Sequence, residues 1–192
     1  MNNNFKYIRR DFLNDLKNRD SEKILSDTDK KIINLLAKES MESDLENEFF
    51  LLDVVSELKI LEKKIKKYPE LWDYLLLHVF CDLYELTLYI IDRKLVSYIK
   101  NNKIEGKEIS NFLKVNRKGS SHATAEKINK TICKILNLSE DNDSIFSVNS
   151  KTRKLRNAVN HANFDTVTNY NLKENYNRVY AFLKCLIYSA SP

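Results

Sequence analysis

Residues 70–100 run without a single Gly or Pro, and between positions 75 and 91 they are apolar almost all round. A helix lying on a protein surface shows one apolar stripe, so a segment apolar on every side has to be contacted on several sides. As one helix this stretch is about 45 Å long. Pro69, with its fixed φ and missing N–H, suits the first turn, while Asn101, Asn102 and Gly106 end the element. A chain with such a rod at its centre folds by laying other helices against it.

The flanking sequence supplies those helices. With two Gly and two Pro in 192 residues, sharp turns are scarce, and a chain rich in Leu, Ile, Lys and Glu favours helix. Residues 2–20 predict a short basic helix with Phe5, Ile8, Phe12 and Leu16 on one side. Ser26 to Asp29 offers N-caps for a second, with Ile32, Ile33, Leu35 and Leu36 as its buried stripe. Phe49, Leu52, Val55, Leu58, Leu61 and Ile65 keep helical period over 45–67, up to the Tyr68-Pro69 break. After the central rod come short helices at 107–115 and 124–138. An acidic loop at 139–150 follows, with Ile145 and Phe146 as anchors, and a closing helix spans 172–188. In the loop before residue 124, Ser120-Ser121-His122 reads as a helix cap. His78 and Glu85, inside the apolar rod, read as polar core residues with hydrogen-bond partners. The organisation expected is an N-terminal helical segment (1–66) packed on a helical domain (67–192), all-α throughout.

Polar chemistry concentrates in residues 151–164. Four bases, an Asn-rich run and a histidine share one short helix, and no acid occurs from 145 to 164. At 100° per residue Leu155, Ala158, Val159 and Ala162 form a face that docks into a core. Arg153, Asn157 and Phe164 lie opposite, flanked by Arg156 and His161. Asn157 and His161, at i and i+4, stand close enough for the amide to orient the imidazole. Such a face suits an anionic ligand. Charge clusters at Lys63–Lys67 and Lys114–Lys118 point the same way, although runs of this kind are most often solvated helix faces.

Arg156-Asn157-x-x-x-His161 resembles the R-x(4–6)-H signature of the HEPN superfamily, small all-helical domains of which many are metal-independent endoribonucleases. The resemblance extends over roughly 70–188, through the helix at 128–138, the loop with Ile145, and Leu155-Arg156-Asn157. An Arg-Asn followed by His at this spacing is expected by chance only about 0.02 times in a chain of this composition. A second match, Arg117 to His122, falls in a Gly/Ser break and lacks the amphipathic helix around the first. The resemblance implies a HEPN-like bundle with a long central helix and an N-terminal helical extension. It also implies RNA cleavage with Arg156, His161 and Asn157 in the catalytic set, and RNA contacts from Lys151, Arg153, Lys154 and Asn160. A two-fold homodimer would bring two His and two Arg to one scissile phosphate. Bacterial members often serve as toxins or phage-defence effectors, which implies an antitoxin or defence-system partner protein. Asn163 stands where some members carry a tyrosine modified by the antitoxin, and Ala162 where many carry Gly.

Other chemistries find little in the sequence. There is no Gly-rich phosphate loop and no paired-His motif, so neither metal nor cofactor is expected. Cys81, Cys133 and Cys185 are far apart among apolar neighbours and read as buried thiols of a reducing, cytoplasmic compartment. No signal peptide or membrane-length apolar run is evident. Two further functions fit the same basic face. One is a catalytically inactive HEPN-like module that binds RNA or nucleotides; the other is a helical scaffold or immunity protein that binds an acidic partner.

Overall fold

The computed structural model describes residues 24–39, 72–118, 121–161 and 171–188. The helices expected at 2–20 and 45–67, the Lys63–Lys67 cluster, the His78 side chain, Ala162, Asn163 and Phe164 lie outside the described residues. The described residues form helices and no strand. In chain order these are α1 (Asp27–Leu36), α2 (Trp72–Asn101), α3 (Lys107–Leu113), α4 (Ala125–Leu136), α5 (Lys151–Asn160) and α6 (Leu172–Tyr188). None is long and apolar enough to cross a membrane.

Helix α2 is the expected rod. From Leu83 to Ser97 every residue is buried except Glu85 and Arg93. Helices α1, α4, α5 and α6 pack against it, α3 pairs with α4, and α1 and α5 also touch α6. One continuous core results. Its largest fully buried side chains include Phe80, Tyr84 and Tyr89 of α2, Phe112 of α3 and Phe182 of α6.

Local chemistry sets the helix starts. Ser26 caps α1 by accepting from Asp29 N, and the Asp29 carboxylate reaches back to Ser26 N, a reciprocal capping box. The α1 C-terminal end is closed from outside. The buried Lys94 ammonium of α2 donates to Ala37 O at 3.1 Å and Glu39 O at 2.6 Å, giving orphan carbonyls a cationic donor. Thr124, rather than Ser121, caps α4 by accepting from Lys127 N, and Ser120 lies outside the described residues. Ser121 Oγ instead donates to Asn116 O at 3.3 Å. Asn137 ends α4 in the left-handed region, φ 51°, a conformation that Asn tolerates better than most residues.

The polar loop after α4 is anchored as its apolar pair suggested, with Ile145 and Phe146 fully buried. Burying a loop requires partners for its backbone. Tyr84 Oη donates to Ile145 O at 3.1 Å, and Ile145 N donates to Asp29 Oδ1 at 3.1 Å. Arg178 of α6 holds the other Asp29 oxygen at 2.8 Å and also grips Asp143 through its carbonyl and carboxylate. The ring of Phe146 meets Phe182 edge-on, with centroids 5.5 Å apart. Because α5 begins directly after this loop, the clamp also fixes where α5 starts.

Candidate functional site

Helix α5 is seated by its buried residues Thr152, Leu155 and Ala158. Val159 is only half-buried, and Thr152 completes the inner face one turn earlier. The Thr152 hydroxyl donates to Asn175 Oδ1 of α6 at 2.8 Å, fixing the rotation of α5 about its axis. The outer face then carries Lys151, Lys154, Asn160 and His161 exposed, and Arg153, Arg156 and Asn157 half-buried. Arg153 is drawn back toward the loop, where Nη1 donates to Phe146 O at 3.3 Å.

Arg156 crosses to α2. Its Nε donates to Glu85 Oε1 at 2.6 Å, Nη2 pairs with the same oxygen, and Nη1 donates to Asn157 Oδ1 at 3.2 Å. The side-on fork of the guanidinium is thus held by a carboxylate, and its outer edge faces away from Glu85. The Asn157 amide was expected to orient His161; its carbonyl oxygen serves Arg156 instead. His161 closes α5 as its C-cap, with its N–H on Asn157 O at 3.0 Å. The imidazole itself has no hydrogen-bond partner among the described residues.

The other oxygen of Glu85 takes a second partner. His122 Nε2 lies 3.0 Å from Glu85 Oε2, and its Nδ1 lies 2.8 Å from Ala123 O. One carboxylate of α2 therefore joins the Arg of one R-x(4–6)-H match to the His of the other. Burial pushes the Glu85 pKa up, but hydrogen bonds and charge from His122 and Arg156 outweigh it and leave the carboxyl below its usual range. Burial pulls the His122 pKa down, yet its bonds to Glu85 and Ala123 and the charges of Glu85 and Asp92 raise it above its usual value.

Arg117, the remaining residue of the second match, has a different task. Nε and Nη2 grip the two oxygens of fully buried Asp92 at 2.7 Å and 3.0 Å. Further N–H groups donate to Phe112 O and Val115 O, and the guanidinium lies 4.6 Å from the Phe112 ring centre. This arginine ties the α3–α4 connector to α2 and so sets where His122 stands. Within the Lys114–Lys118 cluster, its charge is already matched by Asp92.

Neither Glu85 nor His122 was legible as a site residue. Glu85 has the hydrogen-bond partners expected of it but is no core residue, since its side chain keeps 35% of its exposure. The available signal was its position: it is one of two acids in the apolar stretch 75–91. Cys81, one turn before Glu85, is half-buried and its thiol is pushed up to about 12 by burial and by the charges of Asp82 and Glu85, against Arg156. It is no nucleophile at neutral pH. Cys133 is a buried thiol hydrogen-bonded to Ser139 O.

At the other end of α5 an open cavity of about 640 Å³ is lined by Ser150, Lys151, Asn175 and Arg178, with Asp141, Asp143 and Glu174 among the remaining walls. Of the residues singled out on the basic helix it contains only Lys151. Among the described residues no three His, Cys, Asp or Glu side chains are grouped as a metal ion would need. No protein-family model, no curated protein and no solved structure matches this chain.

Proposed function

We propose that this protein is a HEPN-type endoribonuclease that cleaves RNA without a metal, through Arg156 and His161 in a two-fold dimer. The observation that carries the reading is the outer face of α5. It presents Lys151, Arg153, Lys154, Arg156 and His161 with no acid of its own, and a carboxylate from another helix holds Arg156 in one orientation.

In the reaction the substrate 2′-hydroxyl gives its proton to an imidazole, and its oxygen forms a bond to the adjacent phosphorus. The bond from phosphorus to the 5′-oxygen breaks, and that oxygen takes a proton from a second imidazole. Histidine suits both transfers near neutral pH. The planar fork of Arg156 suits the extra negative charge of the phosphorane. Attacking and leaving oxygens lie on opposite sides of phosphorus, so one His161 serves one of them and the copy in a second protomer serves the other. Asn157 holds Nη1 of Arg156, and in this reading Lys151, Arg153, Lys154 and Asn160 meet neighbouring phosphates and sugars. A role as a toxin or phage-defence effector, with an antitoxin or other partner protein, belongs to the same proposal.

The test is RNA incubated with purified wild type and with His161→Ala. Cleavage by the wild type alone is expected, leaving 2′,3′-cyclic phosphate and 5′-hydroxyl ends. A single deoxynucleotide 5′ to a cut site should abolish cutting there. Products with 5′-phosphate ends would rule the mechanism out. A second reading, an inactive module that binds RNA or nucleotides through the same face, is favoured by one observation: nothing among the described residues orients the His161 ring. Salt-sensitive RNA binding without cleavage would select it.

A further inference from the structure

His122 stands at a distance from the α5 motif in sequence, and its surroundings define its charge. Both ring nitrogens face groups that only accept hydrogen bonds: the Ala123 carbonyl at 2.8 Å and the Glu85 carboxylate at 3.0 Å. A neutral imidazole has one N–H and can satisfy one of them; the imidazolium satisfies both. Glu85 meanwhile accepts from Arg156 on its other oxygen. Arg156 and Glu85 alone make a neutral pair, which would draw an incoming phosphodiester weakly. With the imidazolium added, two cations share one anion and the cluster keeps a net positive charge.

We infer that His122 is a positioning residue of this site: as an imidazolium it holds Glu85 jointly with Arg156, keeps the cluster cationic, and so makes phosphodiester binding depend on pH. When His122 loses its proton, Nε2 or Nδ1 loses its donor and a charge leaves the cluster. Glu85 then neutralises Arg156 alone. Other charged groups stand around the ring. They are Asp92 of α2, matched by Arg117 of the connector, and Arg93 of α2, which donates to Arg117 O at 3.0 Å. With 18% of its side chain exposed and both nitrogens occupied, His122 does not itself reach a substrate. It acts through Glu85 on Arg156.

The inference rests on the reading of this face as a phosphodiester site, and its test separates the two. In labelled wild-type protein the His122 ring signals, identified by their loss in His122→Gln, should titrate with a midpoint above the ordinary value of 6.5. The Nε–H signal of Arg156 should move with the same midpoint. Affinity for an uncleavable 2′-O-methyl oligoribonucleotide should fall by about tenfold across that midpoint, the effect of one unit charge at this range. Read in the His161→Ala background, where the α5 imidazole no longer contributes, adding His122→Gln should remove the step and leave binding weak at every pH. A merely structural His122 would change stability and leave no such step. An Arg156 signal indifferent to the titration, or binding whose pH profile is the same without His122, would overturn the inference and leave the nuclease proposal standing. The step without any cleavage of ordinary RNA would support the inference and defeat the nuclease proposal. No binding at any pH would defeat both.

Discussion

Glu85 is a carboxylate between two cations that reach it from different parts of the chain, Arg156 of α5 and His122 of the α3–α4 connector. Its shift is downward, so its contribution to stability is present above its unfolded pKa and is lost as pH falls through the lower folded value. His122 is shifted upward, so its contribution is complete below its unfolded value and is lost as pH rises through the folded one. The cluster is therefore intact in the window between ordinary carboxylate titration and the raised His122 titration. A plot of melting temperature against pH should fall away on both sides of that window, and Glu85→Gln should flatten both flanks. Because Glu85 is more than a third exposed, the change is modest, about 1 kcal/mol. Arg156→Lys keeps the charge and loses the fork, so RNA cleavage should drop severely while the melting temperature moves little. His161→Ala should abolish cleavage and leave stability within about 0.5 kcal/mol of wild type, since the side chain is exposed.

Helix α5 is positioned by what surrounds it. The loop before it is buried by Ile145 and Phe146 and clamped by Asp29 and Arg178, and Thr152 pins the helix to α6. Removing one partner of a buried ion pair leaves an uncompensated charge. Asp29→Ala should therefore cost about 3 kcal/mol in denaturant unfolding, leaving Arg178 with Asp143 alone, Ile145 N without its acceptor and α1 without the carboxylate half of its capping box. Arg178→Met leaves the capping box in place but strands the fully buried Asp29 carboxylate, so it should cost a comparable amount. The two substitutions made together should fall well short of additive, since both act on one network. Full additivity would show that the clamp is not one unit.

For the molecule as a whole, the proposed reaction needs two imidazoles and so two protomers. Sedimentation at micromolar concentration should show a dimer, and a crosslink between cysteines placed at position 160 should form only within it. A monomer that cleaves RNA at full rate would refute the composite site. Cleavage should also survive EDTA, because the described residues offer no cluster of metal-ligating side chains. Activity restored only by a divalent ion would contradict that.

The elements themselves were legible because helix formation is local. Apolar period, caps and the absence of Gly and Pro placed α2 within about two residues of its observed limits, and predicted α6 as Leu172–Tyr188. The same local logic exposed the basic face of α5 and identified Ile145 and Phe146 as anchors. Arg156 could be singled out in this way, because its helix carries the pattern. Its partners could not. Glu85 and Arg156 are 71 residues apart and Glu85 and His122 are 37 apart. No periodicity links such positions; they meet only because α2, α5 and the connector pack around one core. Packing likewise gave the two Arg/His matches their roles. Buried Asp92 claimed Arg117 for structure, while one half-exposed carboxylate drew Arg156 and His122 together, since a partly buried charge is stable only where opposite charges can reach it.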